Sequence, residues 1–521
     1  MKRIFIVFLI LLSCFAARAQ SKDPRVWYEI FVGSFYDSDG DGMGDLNGVA
    51  AKLDYIHDLG ADGIWLMPIN PGPSYHKYDV TDYRAVAPEY GTISDFENLC
   101  AEAHKRGMKV MLDLVLNHSS SLHPWFLSAC ESQLIEPCGQ AVCAREELCR
   151  NHNPLCGFYN FTTSAGAGYS FIRGSSVWLY ESRFGSHMPD FNLDSPALRA
   201  EILDICRHWI SLGADAFRLD AVFYYYTGST EKDIDFLNWL CSSLREIKPD
   251  FYVVGEAWAD GANLLKLYES SIDSLFNFPF GNATGSIISA VKGGRGRSLS
   301  TVLETWYSKL PTGRIDAVFL TNHDMARSAS ALIKPEREKL AANIYMLLPG
   351  SPFIYYGEEI GMKGGSKSDP DKRTQFWWSY TDLKGMCNAP KEASDIRKID
   401  KAADEQLKDK NSLLKHYMAL GNIRRKYSAF FGGSFSSVTS DIASADNKGI
   451  CAYTLTKDGK SITVIHNLGS ADTELRVDGG LKICDTLLCL EDSTRAEAAG
   501  DEVKLKNGVL RCPAMCTVIL K

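Results

Sequence analysis

Beyond its first twenty residues the chain has no apolar run near the roughly 20 residues that a helix needs to cross a bilayer, so no internal membrane span is expected. It has no block of one charge sign either. Its 56 Lys and Arg against 64 Asp and Glu give a formal net charge of −8, spread along the chain, and a polyanion would find no basic stripe to bind. Nucleic acid and anionic membranes are therefore poor partners, and a neutral substrate suits the surface better. Missing too are a Gly-x-Gly-x-x-Gly turn that would cradle a dinucleotide and any Cys-x-x-Cys pair that would open a zinc site.

What the N-terminus does have is Lys2 and Arg3, an apolar run over 4–15, and Ala17-Arg18-Ala19 before Gln20. Charge, short greasy core and small-residue site follow in the order of a secretory signal peptide. Residues 1–19 are expected to be removed and the mature protein to be secreted or periplasmic. Leu11-Leu12-Ser13-Cys14 offers the alternative of a lipid anchor on Cys14, with an unusually short leader. Loss of Cys14 from the fifteen cysteines leaves an even number, and an oxidising compartment makes disulfides the expectation. Cys130, Cys138, Cys143, Cys149 and Cys156 crowd one segment, and Cys484, Cys489, Cys512 and Cys516 another. Metal binding by these cysteines is the weaker reading, for want of a Cys-x-x-Cys pair or a His-rich partner.

From Val26 to about Tyr427 short β-branched or aromatic runs alternate with helical patterns, the signature of repeated βα units. Strands are expected over 26–35, 63–68, 109–118, 215–222, 251–258, 274–280, 316–324 and 352–358, with helices between them such as 46–59, 95–106, 198–212 and 339–348. Eight such units point to an α/β fold, a closed (β/α)8 TIM barrel; an open doubly wound sheet is the rival without a supporting glycine turn. The connection after the third strand, residues 119–194, is too long for a crossover and reads as a small cysteine-rich inserted domain. The barrel then takes residues 20–118 and 195–428. Over 429–521 helical periodicity gives way to short alternating runs such as 450–455, 461–466 and 515–520, expected to build an antiparallel β-sandwich. The Gly-, Ser- and Lys-rich stretch 363–371 should be a loop at the barrel mouth.

Barrel enzymes carry their reactive groups at the C-terminal ends of the strands. Here the third strand runs through Asp113 to Asn117-His118, the fourth ends in Arg218-Leu219-Asp220, the fifth in Gly255-Glu256 and the seventh in Asn322-His323-Asp324. Acids, histidines and an arginine thus converge on one rim. Cleaving a glycosidic bond with retention needs two carboxyl groups about 5–5.5 Å apart, one to attack the anomeric carbon and one to protonate the leaving oxygen. Asp220 and Glu256, on adjacent strands, can supply that pair. Arg218, two residues before Asp220 and on the same face, would keep it ionised, whereas burial and nearby negative charge would keep Glu256 protonated. A single Asp at a strand end is more often a loop cap, and a lone buried His a satisfied core group; the conjunction is what points to catalysis.

In order, spacing and residue type these strand-end segments resemble the four signature regions of glycoside hydrolase family 13, the α-amylase family, and the resemblance runs over nearly the whole mature chain. It implies Asp220 as nucleophile, Glu256 as general acid/base and Asp324 as a third carboxylate that stabilises the transition state. It also implies His118 and His323 on the glucose at the cleavage site, Asp113 and Arg218 positioning the nucleophile, and Tyr78 stacking on the sugar ring. Met188-Pro189-Asp190-Phe191-Asn192 resembles the motif of a group intermediate between oligo-1,6-glucosidases and neopullulanases, which includes α-amylases. Gly357-Glu358-Glu359-Ile360-Gly361-Met362 and Asp371-Lys372-Arg373-Thr374 resemble the same branch, with Arg373 reaching the sugar at or next to the cleavage site. Where many α-amylases follow the nucleophile with a Lys-His pair, this chain has Val222-Phe223-Tyr224, so neither that pair's sugar contact nor its calcium between barrel and inserted domain carries over.

Asp37, Asp39, Asp41, Met43 and Asp45 stand at alternate positions with glycines between them. That spacing offers oxygen ligands on a tight turn, as Ca2+ requires, although the distal Glu of an EF-hand loop is absent. Four carboxylates so close repel one another without a cation, and the resemblance also places a calcium after the first strand; Ca2+ is the expected cofactor. The expected substrate is an α-glucan such as starch or a maltooligosaccharide, cut by a monomer at internal α-1,4 bonds. Exo-acting relatives carry an Asp three residues before the stacking tyrosine. Tyr75 stands there, and its ring can stack a further sugar but cannot clamp a terminal one. The alternatives are an exo-acting α-glucosidase or oligo-1,6-glucosidase, a neopullulanase or transglycosylase, and a non-enzymatic carbohydrate-binding or transport-associated subunit, against which the three carboxylates argue.

Overall fold

Eight short parallel strands divide their side chains between two cores in the computed structural model, which describes residues 23–365, 367–490 and 503–521. The expected leader and Cys14 lie outside the described residues. The strands are β1 (Trp27–Ile30), β2 (Gly63–Leu66), β3 (Lys109–Leu114), β4 (Ala216–Leu219), β5 (Tyr252–Gly255), β6 (Ser274–Phe276), β7 (Ile315–Phe319) and β8 (Ser351–Tyr355). Each pairs in parallel with its sequence neighbours, and β8 closes on β1. Side chains alternate along a strand, so Trp27, Trp65, Met111, Ala216, Val254, Phe276, Ala317 and Phe353 fill the barrel interior. Tyr28, Ile64, Val110, Phe217, Val253 and Val318 pack outward into the core shared with the helices. The interior parity continues upward. Two residues past Trp27 stands Glu29, past Met111 Asp113, past Ala216 Arg218 and then Asp220, and past Val254 Glu256. The register that packs the interior therefore also aims these polar groups at the C-terminal mouth. Glycine is needed at Gly63, where a Cβ would come within 2.5 Å of the Trp27 ring.

Each strand ends earlier than its sequence pattern suggests. The first, expected over 26–35, stops at Ile30 and passes into a 3-10 turn, Val32–Ser34; the seventh stops at Phe319. Residues beyond these points leave the ladder to build the rim, where Phe31, Val32, Phe35 and Leu320 stay buried. The helix expected over 46–59 is two, Leu46–Ala51 and Leu53–Asp58, interrupted at Lys52, whose ammonium sits 4.1 Å over the rings of both Tyr36 and Trp378. Helices Ile93–Lys105 and Pro196–Ser211 begin two residues earlier than expected because Thr92 and Ser195 cap them through side-chain oxygens.

Between β3 and β4 the chain forms helix Pro124–Leu134 and a small antiparallel sheet of Phe161–Thr162, Leu179–Glu181 and Tyr169–Phe171. An isolated bridge from His118 to Asp190 ties this insertion to the rim, and one from Tyr159 to Phe191 joins two parts of the insertion itself. The disulfides expected here are not formed: Cys130, Cys138, Cys143, Cys149 and Cys156 are thiols, as are Cys484, Cys512 and Cys516 near the C-terminus. The C-terminal chain makes a five-stranded sheet, ordered Ser434–Ser437, Ile450–Lys457, Lys460–Asn467, Cys516–Leu520, Ile483–Leu488, and a three-stranded one of Thr473–Arg476, Val509–Cys512 and Lys504–Lys506. Ile465 and Val518 of the first share a buried cluster with Leu475 and Leu510 of the second, as in a sandwich. The opposite face of the larger sheet, through Tyr453, Leu455, Val464 and Ile519, joins the core around the barrel.

Candidate active site

Asp220 and Glu256 follow directly on β4 and β5. The barrel ladder continues one rung past both strands, Asp220 N–H donating to the Leu114 carbonyl at 3.3 Å and Glu256 N–H to that of Leu219 at 2.9 Å. The chain then turns at Ala221, whose φ of 51° is a left-handed conformation that a residue with a Cβ rarely adopts. Its N–H donates to Glu256 Oε2 at 3.0 Å. Buried Arg218 organises the carboxylates: Nη1 donates to Asp220 Oδ1 at 2.6 Å and to Asp113 Oδ1 at 2.8 Å, and Nη2 lies 4.0 Å from Glu256 Oε2. Tyr78 Oη donates to Asp113 Oδ2 at 3.0 Å and lies 2.7 Å from His323 Nε2, while its ring stacks on His323 with centroids 5.5 Å apart.

His323 is held between two carboxylates, Nδ1 2.5 Å from Glu29 Oε1 and Nε2 3.0 Å from Asp324 Oδ2. Burial alone would lower its pKa, but Asp324 and Glu29 overcome this and push it up to about 9, so the ring is an imidazolium at neutral pH. Burial would likewise raise Asp324, yet His323 and Arg373 hold its carboxyl well below the usual range. Glu256 goes the other way. Burial pushes it up to about 7 against the pull of Arg218, and the negative charges of Asp220 and Asp324 add to the rise. Burial also lifts Asp113, to about 6, opposed by Arg218. One rim thus holds an ion-paired carboxylate next to a carboxyl that keeps its proton near neutrality, the division of labour that acid/base chemistry on a sugar needs.

Asp113, Arg218, Asp220, Glu256, His323, Asp324 and Tyr78 are thus brought together as expected from the sequence. His118 is buried beside them, its Nε2 3.2 Å from the Tyr78 carbonyl. Arg373 reaches the same place, donating to Asp324 Oδ1 at 2.9 Å and to Tyr75 Oη at 2.8 Å. Two groups went unread in the sequence. Glu29 adds to Asp324 in raising the pKa of His323, and the parity of β1 signals it. Asp369 accepts from Arg373 Nη1 at 2.9 Å and from Tyr75 Oη, and only its spacing of four from Arg373 hints at that. The rim also exposes aromatic surface: Trp258, two residues past Glu256 and stacked on Phe278 with centroids 4.8 Å apart, and Phe184 from the insertion, packed on His118 at 5.4 Å. A cleft at the opposite end of the barrel, bordered by Asp273, Arg314, Asp316 and Phe435, lies away from these groups, on the face where barrels carry stability and not catalysis.

In the loop after β1, the carboxylate oxygens of Asp37, Asp39 and Asp45 lie within 4.8 Å of one another. Gly40 and Gly42, with φ of 90° and 93°, make the turn and donate N–H groups to Asp37 Oδ1 and Oδ2 at 2.6 and 2.8 Å. Asp41 departs from the expected set, because these glycines turn its side chain outward, where Oδ1 accepts the Met43 N–H at 2.7 Å. The donors are hard oxygens that accept from backbone N–H groups and the Ser38 hydroxyl, a set that fits Ca2+.

Fold and rim together define a glycoside hydrolase built on a (β/α)8 barrel with an insertion after its third strand. The chain belongs to the α-amylase family, glycoside hydrolase family 13: the profile of the alpha amylase catalytic domain matches residues 29–433. It is 37% identical to Alpha-amylase 3 of Dictyoglomus thermophilum over 476 residues, 89% of this chain and 88% of that protein. It is 27% identical to Alpha-amylase SusG of Bacteroides thetaiotaomicron, over 94% of this chain and 90% of that one. Among solved structures, Eubacterium rectale Amy13B superposes with a TM-score of 0.88 at 36% identity, covering 96% of each chain. The α-amylase from H. orenii gives 0.81 at 31% identity, covering 96% of this chain and 99% of that one.

Proposed function

We propose that the protein is an endo-acting α-amylase that hydrolyses α-1,4 bonds of starch and maltodextrins with retention. The reading rests on one observation above others: a single guanidinium, Arg218, spans Asp220 and Glu256, pairing closely with the first and only distantly with the second. Asp220 Oδ attacks the anomeric carbon while the Glu256 carboxyl gives its proton to the departing glycosidic oxygen, leaving a glycosyl ester on Asp220. Glu256, now a carboxylate, takes a proton from water as that oxygen attacks the same carbon, and Asp220 leaves. Asp324, His323 and Arg373 hold sugar hydroxyls, and Tyr78 lies under the ring. The Asp37, Asp39 and Asp45 loop would hold a Ca2+ whose contribution is to brace the start of the barrel. A signal peptide over residues 1–19 supports export, and among the described residues no helix is long and apolar enough to cross a membrane.

Internal cleavage is supported by exposed Trp258 and Phe184, which offer further stacking surfaces on the same rim. A second reading, chain-end attack, draws on Asp369. With Arg373 it forms a charged pair beside Tyr75, the kind of clamp a terminal sugar needs. Loss of iodine staining of amylose, followed against release of reducing ends, separates the two. Endo action drops the staining early. Glucose released from the first minutes with staining nearly intact would establish the second reading.

A further inference from the structure

The insertion contains a segment with no core of its own. Residues 135–152 are almost all at the surface, with Val142 78% exposed, and their one regular element is the 3-10 turn Glu146–Leu148. A stretch of that length without secondary structure or apolar burial needs another source of order. Only Cys149 is buried there, and around it the chain gathers Cys138, Cys143 and His152, whose Sγ and ring nitrogen atoms all lie within 4.8 Å of one another. Sγ of Cys149 is 3.6 Å from Sγ of Cys138, and His152 Nδ1 is 3.2 Å from the first and 3.5 Å from the second.

These separations discriminate between two readings. A disulfide requires sulfurs about 2.0 Å apart. The edges of a tetrahedron around zinc, with Zn–S about 2.3 Å and Zn–N about 2.0–2.1 Å, are about 3.8 Å for S to S and about 3.6 Å for S to N. The S–S separation of 3.6 Å and the S–N separations of 3.2 and 3.5 Å are far from the first and close to the second. Paired among themselves, the three sulfurs would leave one thiol over, whereas with the imidazole they complete a tetrahedral shell with no open position. The backbone is shaped for it: the Cys149 carbonyl accepts both His152 N–H at 2.9 Å and Asn153 N–H at 2.8 Å, folding the imidazole back beside the thiol, and Arg145 N–H donates to Cys143 Sγ at 3.4 Å, a bond that stabilises a thiolate ligand.

We infer that Cys138, Cys143, Cys149 and His152 form a structural zinc site, reading Cys-x4-Cys-x5-Cys-x2-His, that staples the surface segment of the insertion. The site shares no residue with the rim carboxylates or with the Asp37, Asp39 and Asp45 loop. Its closed shell leaves no place for substrate or water. Its connection to the rest of the insertion runs through the next residue, Asn153, whose Nδ2 lies within hydrogen-bond distance of Ser132 Oγ at 2.8 Å, Ser128 Oγ at 3.0 Å and the Glu147 carbonyl at 2.9 Å, fastening the segment to helix Pro124–Leu134.

The test uses the full mature chain, produced in zinc-supplemented medium and dialysed against chelator-free buffer. Elemental analysis should find one zinc per chain, and X-ray absorption at the zinc edge should show three sulfurs near 2.3 Å and one nitrogen near 2.0–2.1 Å. Cys143→Ser and His152→Ala should each lower zinc content at least fivefold, while Cys512→Ser keeps it. Wild-type protein depleted by a zinc-selective chelator should melt at lower temperature and recover on adding ZnCl2. Fewer than about 0.2 zinc per wild-type chain, full zinc retained in both ligand variants, or a disulfide mapped between any two of the three cysteines would each overturn the assignment. The absorption and mapping measurements need only wild-type protein, so a variant that fails to fold does not rescue the proposal.

Discussion

Asp220 accepts a charge-assisted bond from Arg218, whereas Glu256 is met by one backbone N–H and a guanidinium nitrogen 4.0 Å away; two similar side chains thereby acquire opposite tasks. Asp220→Asn should lower kcat by roughly four orders of magnitude or more, as loss of a covalent nucleophile does elsewhere, with the melting temperature and maltooligosaccharide binding retained. Near-normal turnover by the folded variant would refute the nucleophile. Glu256→Gln should cost about 10²- to 10⁴-fold on starch and far less on aryl glucosides whose leaving group needs no proton. The acid must be protonated to act, and its pKa is raised to about 7. In wild type kcat/KM should therefore fall as pH rises through about 7, and this alkaline limb should vanish in Glu256→Gln measured on the activated substrate. A limb that persists in the variant would assign it to another group. Every one of these residues was legible in the sequence, because each stands at a strand end in a distinctive short motif. Glu29 and Asp369 were not, because a lone acid in a strand or a loop has no motif and declares its role only through its partner.

At the scale of elements, strand parity was readable and strand ends were not. Buried apolar residues continue past the last ladder bond, at Phe31, Val32, Phe35 and Leu320, and only the closed barrel decides where pairing stops. The loop after β1 shows the same limit. Its alternating acids were plain, but two left-handed glycines turn Asp41 outward and leave Asp37, Asp39 and Asp45 together. EGTA should consequently lower the melting temperature of wild type, since a ligand bound only to the folded state stabilises it by about 2.7 kcal/mol at a hundredfold excess over Kd. The chelator shift should be lost in Asp39→Ala and largely kept in Asp41→Ala. Equal shifts in wild type and Asp39→Ala would place the calcium elsewhere.

For the whole molecule, the C-terminal sheet turns one face to its partner sheet and the other, through Tyr453, Leu455, Val464 and Ile519, to the barrel's own core. Tyr453 Oη also donates to the Leu347 carbonyl, and Asn343 donates to Thr517 Oγ1. Barrel and C-terminal domain should therefore unfold in a single calorimetric transition, and Tyr453→Ala should destabilise both by about 3–5 kcal/mol, as loss of a buried aromatic does. Two resolved transitions in wild type would show that the shared core does not couple them. Strand count, barrel class, the inserted and C-terminal segments and the acids that meet on the rim could be read from the sequence itself, since periodicity and motifs are short-range properties that survive without coordinates. The tertiary structure decided what depends on chain path: that one arginine spans Asp220 and Glu256, that Asp369 meets Tyr75 across the barrel mouth, and that cysteines expected to pair as disulfides instead surround His152. The first two meetings join residues far apart in sequence, which only barrel closure and the course of the loops bring together, and the third depends on a backbone turn at Cys149 that residue spacing alone does not fix.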